Sequence, residues 1–403
     1  MALNKLSRRW LAGGLFTFSV LPVAAEQQAL PEVDVTYGSK GFEFTTADDR
    51  FQMQIRGRLQ LRYSNTNDSQ PVTIQDYEQV YGDEFGINRA RLKIGGHAYQ
   101  PWLKYYLEYE LQQGYLLDYR VMIEKYDALK FKAGQWKFEY SRERSISSGG
   151  QQMLDRSIIN RVFTIDRQQG AAIYGRLNAG SPLDVNYWLG IGTGTGRGSN
   201  QNDDRNALYY GRLQWNVFGE EMGFKASDLK LRDKPLGSIA VAGSTNRSAY
   251  TRFSSSGGGQ LPFFDGGEDS QYDIEQYLIE TAFMYKGFSW QSEYHEKTVT
   301  DRLNNNEETD LDGYYVQAGY FFNQMFDWWP APLEAAFRYA SFDESSATES
   351  DTSHSEQSLA LNWFFNGHNN KVTTDITRFD IEQVGELSSP DRWQFRVQWD
   401  VSF

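Results

Sequence analysis

The stretch Arg392-Trp393-Gln394-Phe395-Arg396-Val397-Gln398-Trp399-Asp400-Val401-Ser402-Phe403 alternates without a break. Every odd position is apolar and every even one polar. Successive side chains of a strand point to opposite faces, so this pattern predicts an extended strand with one apolar and one polar side. A sandwich strand shows the same period over about 5–6 residues. The run here instead suits a tilted strand crossing a bilayer, which takes about 9–11. One strand does not decide the fold; its repetition does.

Working back along the chain, the same pattern recurs. Phe51, Met53, Ile55, Leu59, Leu61 and Tyr63 oppose Gln52, Gln54, Arg56, Arg58, Gln60 and Arg62. Further strands are expected at 88–98, 103–111, 117–126, 130–136, 171–177, 183–191, 207–217 and 238–245, then at 277–285, 288–296, 314–322, 333–342, 358–365, 371–381 and 392–403. With 51–63 this makes sixteen. Short connections rich in Gly, Pro and Asn (99–102, 127–129, 178–182, 286–287, 323–332, 366–370) alternate with longer polar ones (64–87, 137–169, 192–206, 246–276, 297–313, 343–357). The segment 218–237 is long where a short turn is due. Backbone groups in hydrocarbon must all be paired, and only a closed sheet leaves no edge. The expected fold is therefore all-β: a 16-stranded antiparallel transmembrane β-barrel with an even strand number, short turns at one end and long loops at the other. The aromatic pairs Phe321-Phe322, Trp328-Trp329 and Phe364-Phe365 fall near strand ends, where interfacial girdles belong.

Residues 1–25 read as a secretory signal peptide, with Lys5, Arg8 and Arg9 before an apolar run and Val23-Ala24-Ala25 before a cut ahead of Glu26. Residues 26–50 are expected to be a short periplasmic N-terminal segment, and 51–403 the outer-membrane β-barrel. The absence of Cys excludes a disulfide scaffold and thiolate chemistry, and no window is long and apolar enough for a transmembrane helix. The net charge is −13, or −16 once the three cations of 1–25 are removed, which argues against a nucleic-acid partner. A mean hydropathy of −0.63 fits strands that keep half their residues in water.

Alternation also assigns charges to the inner wall. Arg56, Arg58, Arg62, Arg89, Arg91, Lys93, Lys104, Arg120, Lys130 and Lys132 face inward, with Arg212, Arg338, Arg392 and Arg396 further on. The clearest inward acids are Glu108, Glu110, Asp118, Glu124, Glu280, Glu293 and Glu334. A basic wall lowers the cost of passing anions unless the cations pair with wall or loop acids. The long connection after the fifth strand carries Lys137, Arg142, Arg144, Arg156, Arg161 and Arg167 against Glu139, Glu143, Asp155 and Asp166. Folded inward it would place guanidinium groups, which match oxyanion geometry, at a constriction. Folded outward it would be a solvated surface loop.

Several residues carry a family resemblance. Gly134-Gln135-Trp136-Lys137, then Ser141, Glu143, Ser147-Ser148, Asp155-Arg156-Ser157, Arg167 and Gly170, resemble the phosphate-selective porin O and P family. Arg89-Ala90-Arg91 with Lys93 and Gly95 is similar to that family's second strand, and Asp228-Leu229 falls in a similarly long turn after strand eight. The terminal Phe403 resembles the assembly signal of bacterial outer-membrane barrels. The resemblance implies a barrel with an inward-folded third loop, a homotrimer in the bacterial outer membrane, and passage of small anions. This chain departs from the pattern at Phe138-Glu139-Tyr140, where the family often has Pro-Phe, and it shows no lysine cluster suited to a dedicated phosphate site.

No catalytic, cofactor or metal site is expected. The four His residues, His97, His295, His354 and His368, are not at metal-ligand spacing, and residues 192–198 lack the Gly-Lys-Ser/Thr ending of a phosphate loop. The acidic runs 307–312 and 343–351 could bind divalent cations that bridge lipopolysaccharide, or could simply be solvated. The reading is a passive, anion-preferring porin in contact with outer-membrane lipid and lipopolysaccharide. The alternatives are a general or organic-acid pore of weak selectivity, or a plugged structural or adhesive barrel.

Overall fold

A computed structural model describes residues 32–38, 41–66, 70–71, 82–203, 205–262, 264, 266–346, 352–383 and 391–403. The expected signal peptide lies outside these residues. The strands are β1 (Val33–Gly38), β2 (Gly41–Thr46), β3 (Phe51–Ser64), β4 (Glu84–Ala98), β5 (Gln100–Glu110), β6 (Tyr115–Tyr126), β7 (Leu129–Lys137), β8 (Arg167–Leu177), β9 (Val185–Gly192) and β10 (Leu208–Asn216). They continue as β11 (Leu236–Ser248), β12 (Arg252–Ser254), β13 (Gly257–Gly259), β14 (Tyr272–Tyr285), β15 (Phe288–Asp301), β16 (Glu307–Tyr320), β17 (Leu333–Ser346), β18 (Thr352–Asn366), β19 (Asn370–Gln383) and β20 (Asp391–Ser402).

Strands β3–β11 and β14–β20 pair antiparallel in sequence order, with β11 joined directly to β14. Closure comes from β20 against β3, from Arg396↔Ser64 to Ser402↔Arg58. The sixteen strands expected from alternation thus form a closed barrel. The inside–outside assignment holds along β20: Trp393 is 55% exposed, whereas Arg396 is 1% exposed. The seam ends on a close approach. Phe403 and Gly57 exchange two backbone hydrogen bonds, and a Cβ on Gly57 would lie 2.5 Å from the Phe403 ring.

The structure departs from expectation in four places. First, the connections 297–313 and 343–357 are mostly strand: β15 and β16 are separated only by 302–306, with Glu296 paired to Asp312 and Asp312 to Asp343. Polar residues on both faces hid these ladders, which rise beyond the apolar band. Second, β1 and β2 form a hairpin within the expected lead-in, and β2 extends the wall below the seam by pairing with β3 from Phe42↔Ile55 to Thr45↔Gln52. Third, the aromatic pairs do not all face outward. Phe321 and Phe364 are buried and pack together at 5.8 Å, while Phe365 and Trp328 are exposed. Fourth, the long turn after β10 folds into the barrel, burying Met222, Ala226, Ser227 and Asp228.

Candidate solute path

The loop between β7 and β8 enters the barrel because its first residues are apolar on the inward side. Trp136, Phe138 and Tyr140 are buried in one cluster with Trp188, Leu208, Tyr210 and Leu278. The chain then turns into a short helix α1 (Arg142–Ser145), capped by Ser141, whose hydroxyl accepts from the Arg144 N–H. Across the lumen on β15, Glu293 accepts from the Ser141 hydroxyl (2.9 Å) and the Glu143 N–H (2.8 Å).

From there the loop runs along β15–β20, bound at almost every step. The Gln152 amide donates to Glu334 (2.7 Å) and accepts from Gln317 (2.7 Å). Its close seat needs Gly319 on β16, where a Cβ would lie 2.0 Å from the Gln152 amide nitrogen. Lys371 donates to the Gln151 carbonyl (2.6 Å), Asp375 accepts from the Leu154 N–H (3.2 Å) and Glu356 from the Ile158 N–H (2.9 Å). Arg338 bridges Glu356 and Glu143 from the wall to the loop. Helix α2 (Ile159–Phe163) buries Ile159, Val162 and Phe163 against Ile274, Val299, Leu311, Phe342 and Phe379. The inward turn after β10 adds a floor: carbonyls of Gly223 and Lys225 accept from Arg142 (2.9 Å each), and Ser227 donates to Glu334 (2.9 Å).

With the loop held against β15–β20, open space is left against β3–β8. On the long-loop side lies a cavity of about 470 Å³ lined by Arg62, Arg89, Arg144, Arg156, Arg161 and Arg252, with Asp155 and Asp166 as its carboxylates. It shares Arg62 and Asn88 with a mouth cavity of about 600 Å³. On the short-turn side is a cavity of about 210 Å³, lined by Arg91, Lys93, Arg120, Lys137 and Arg167 against Glu108, Asp118 and Glu139, with Tyr106, Phe224 and the hydroxyls of Ser145, Ser147 and Ser148.

Of the two readings of the basic wall, the one in which cations pair with wall or loop acids describes most of it. Arg91 contacts Glu108 and Glu110 at 2.8 Å, Lys93 lies 3.6 Å from Glu108, Lys104 pairs with Glu124 and Arg120 with Asp118. Lys130 pairs with Asp127, Lys132 with Glu139, and Arg62 with Asp155, while Arg89 lies 3.7 Å from Asp155. Adjacent strands put acids in register with these cations, as in Arg91↔Glu110 and Lys93↔Glu108. Arg144 and Arg167, expected as guanidinium groups at a constriction, pair with Asp166 and Asp118. Arg142 is a further correction: it is fully buried and serves as a strut between loop and floor rather than lining the path.

Among the described residues, no carboxylate lies in ion-pair range of Arg56, Arg58, Lys137 or Arg156. Arg56 donates to Asn369 and Arg58 to the Ser147 and Ser148 hydroxyls. Lys137 donates to the carbonyls of Arg144 (2.9 Å) and Ile146 (3.4 Å). Arg156 donates to those of Glu143 (3.0 Å) and Ile146 (2.7 Å). Burial, and next the Arg144 cation, push the Arg156 guanidinium down from its usual value. The anchoring acids Glu356 and Asp375 were missed as functional residues; their place on the polar face of their strands was the available signal. Among the described residues no group of three His, Asp or Glu could hold a metal ion.

A closed sixteen-strand barrel narrowed by an inward third loop defines an outer-membrane porin. A profile of the family "Phosphate-selective porin O and P" matches residues 53–399. The chain belongs to that family, and its place is the bacterial outer membrane. Porin O of Pseudomonas aeruginosa is 22% identical over 347 residues, covering 76% of this chain and 74% of that protein. In fold the barrel is similar to the trimer form of OmpT of Vibrio cholerae (TM-score 0.59, 10% identity, 88% of this chain and 100% of that one). It is also similar to the outer-membrane channel DcaP of Acinetobacter baumannii (TM-score 0.58, 9% identity, 89% and 99%).

Proposed function

We propose that this porin passes small anionic solutes passively along β3–β8, without catalysis and without a cofactor. The observation that carries this reading is a pair of cations, one on either side of the loop, that have no carboxylate partner among the described residues. Lys137 faces the short-turn cavity and Arg156 the long-loop cavity, and both spend their donors on carbonyls. A hydrogen bond to a carbonyl leaves the positive charge in place, so each exerts a field on a passing ion. Arg62, Arg91, Arg120, Arg144 and Arg167 along the same cavities are paired with carboxylates, which keeps binding weak enough for release. The same pairing favours, as second reading, a general or organic-acid pore of low selectivity.

With this function go a signal peptide at 1–25, a periplasmic segment at 26–50 and a barrel from 51. Assembly as a homotrimer among outer-membrane lipid and lipopolysaccharide is part of the same proposal, and nucleic acid is not a partner. The relative's name mentions a porin and the family's mentions phosphate, so inorganic phosphate is the first anion to try. The test is single-channel current in a planar bilayer under a KCl gradient, with phosphate then added. An anion-selective reversal potential with phosphate block is expected. Cation selectivity without block would discard the anion path, and absence of current would leave a plugged barrel.

A further inference from the structure

The loop carboxylate of Asp155 sits where three wall arginines converge. Its Oδ2 accepts from Arg62 Nη1 (2.7 Å) and Arg396 Nη1 (2.7 Å), and its Oδ1 from Arg62 Nη2 (3.2 Å). Arg89 Nη2 lies 3.7 Å from Oδ1, near but outside hydrogen-bonding distance. The three cations come from β3, β4 and β20, the strands at the closing seam. Asp375 also accepts from Arg396 (2.8 Å), which fixes that guanidinium from the wall side.

The cluster is open to the path. Arg62, Arg89 and Asp155 line the cavity of about 470 Å³, and the side chains of Arg89 and Asp155 are 20% and 19% exposed. Arg62 and Arg396 are buried behind them. Planar guanidinium groups with paired donors match the oxygens of a carboxylate or a tetrahedral oxyanion. The loop backbone here does not depend on the carboxylate, because Arg338 donates to the Asp155 carbonyl (2.9 Å) and the Leu154 N–H donates to Asp375.

We infer that Arg62, Arg89 and Arg396 form an oxyanion subsite that the loop's own Asp155 carboxylate occupies, acting as a tethered competitor of the passing anion. This rests on the anion path proposed above and adds a residue that sets its selectivity. With the carboxylate in place, an arriving ion meets a cradle already filled, and its stay is short. Without it, the same donors would hold a free oxyanion and the pore would be blocked by the ion it attracts.

The experiment compares wild type, Asp155→Asn and the double variant Arg62→Gln/Asp155→Asn as full-length porin in planar bilayers, with inorganic sulfate as the probe. The half-blocking sulfate concentration is expected to fall on the order of tenfold in Asp155→Asn, since a like charge competing at contact distance has been removed. It should return toward the wild-type value in the double variant, where a cradle donor is also gone. Unchanged block in Asp155→Asn overturns the inference. So does a rise in conductance without added block that Arg62→Gln leaves unaltered, because that marks a loosened loop. Cation selectivity of the wild type would strike the proposed path alone, leaving the sulfate comparison to decide the subsite.

Discussion

On β15–β20 the inward carboxylates and amides end on the loop; on β3–β8 the inward cations end on cavities. The first half buries Glu293, Glu334, Glu356 and Arg338 at 2% exposure or less and satisfies them across the lumen. The second half leaves Arg89, Lys104 and Arg120 partly exposed and pairs Arg91 and Lys104 with acids on adjacent strands. Breaking a buried pair costs several kcal/mol because an uncompensated charge stays behind, whereas an exposed pair contributes about 0–1 kcal/mol. One half therefore holds the constriction in place and the other sets the field that an ion meets.

That division can be broken first at Arg338. Replacing it with Ala strands Glu356 and weakens the hold on Glu143, with an expected loss of about 3–5 kcal/mol. Urea unfolding in detergent would show the loss, and single-channel conductance should rise as the loop leaves the wall. An intermediate effect is expected on the open side. Lys104→Gln frees Glu124 from its partner, so the reversal potential should move toward cations while stability changes by about 1 kcal/mol or less. If both variants changed stability equally, the two halves would not differ as described.

The smallest effect concerns pH and sharpens the comparison. Burial works to raise the Asp155 carboxyl, but the Arg62 and Arg396 guanidinium groups outweigh it and hold it well below the usual carboxylate range. A depressed carboxyl contributes stability that is complete above its unfolded value of about 4 and is lost only as the pH falls toward the folded one. Glu143 runs the other way: burial pushes it up against the pull of Arg338, so on acidification the folded state takes up this proton first and gains stability. Conductance should stay constant from pH 7 to about pH 4.5. A loop that opened within that range would place its anchor elsewhere.

The barrel was legible because a period of two survives any rearrangement of neighbours: the faces of residues 392–403 and 51–63 follow from alternation alone. The ends of β15 and β16 were not, since Glu307, Glu308, Asp310 and Asp312 offer little apolar contrast beyond the membrane. For the path, alternation put Arg91 on the inward face, while Lys137 fell in a loop that its residues alone left free to fold inward or outward. The sequence could not say that Arg91 meets two acids and Lys137, among the described residues, none, because pairing depends on register between strands and on where a loop comes to rest. Arg142 and Arg156, alike in one loop, illustrate the limit: one became a buried strut and the other faces a cavity.

The exchange of hydrogen bonds between Gly57 and Phe403 has a kinetic meaning. Pairings between successive strands can form locally, whereas β20 against β3 joins the two ends of the sheet. Ring closure is thus the step of highest contact order, and its entropy grows only by about 0.6 kcal/mol per doubling of the loop. The cost is tolerable, but the step has to wait for β20, the sixteenth strand of the wall. Until Phe403 covers Gly57, the barrel is an open sheet with two free edges, the form most exposed to wrong partners.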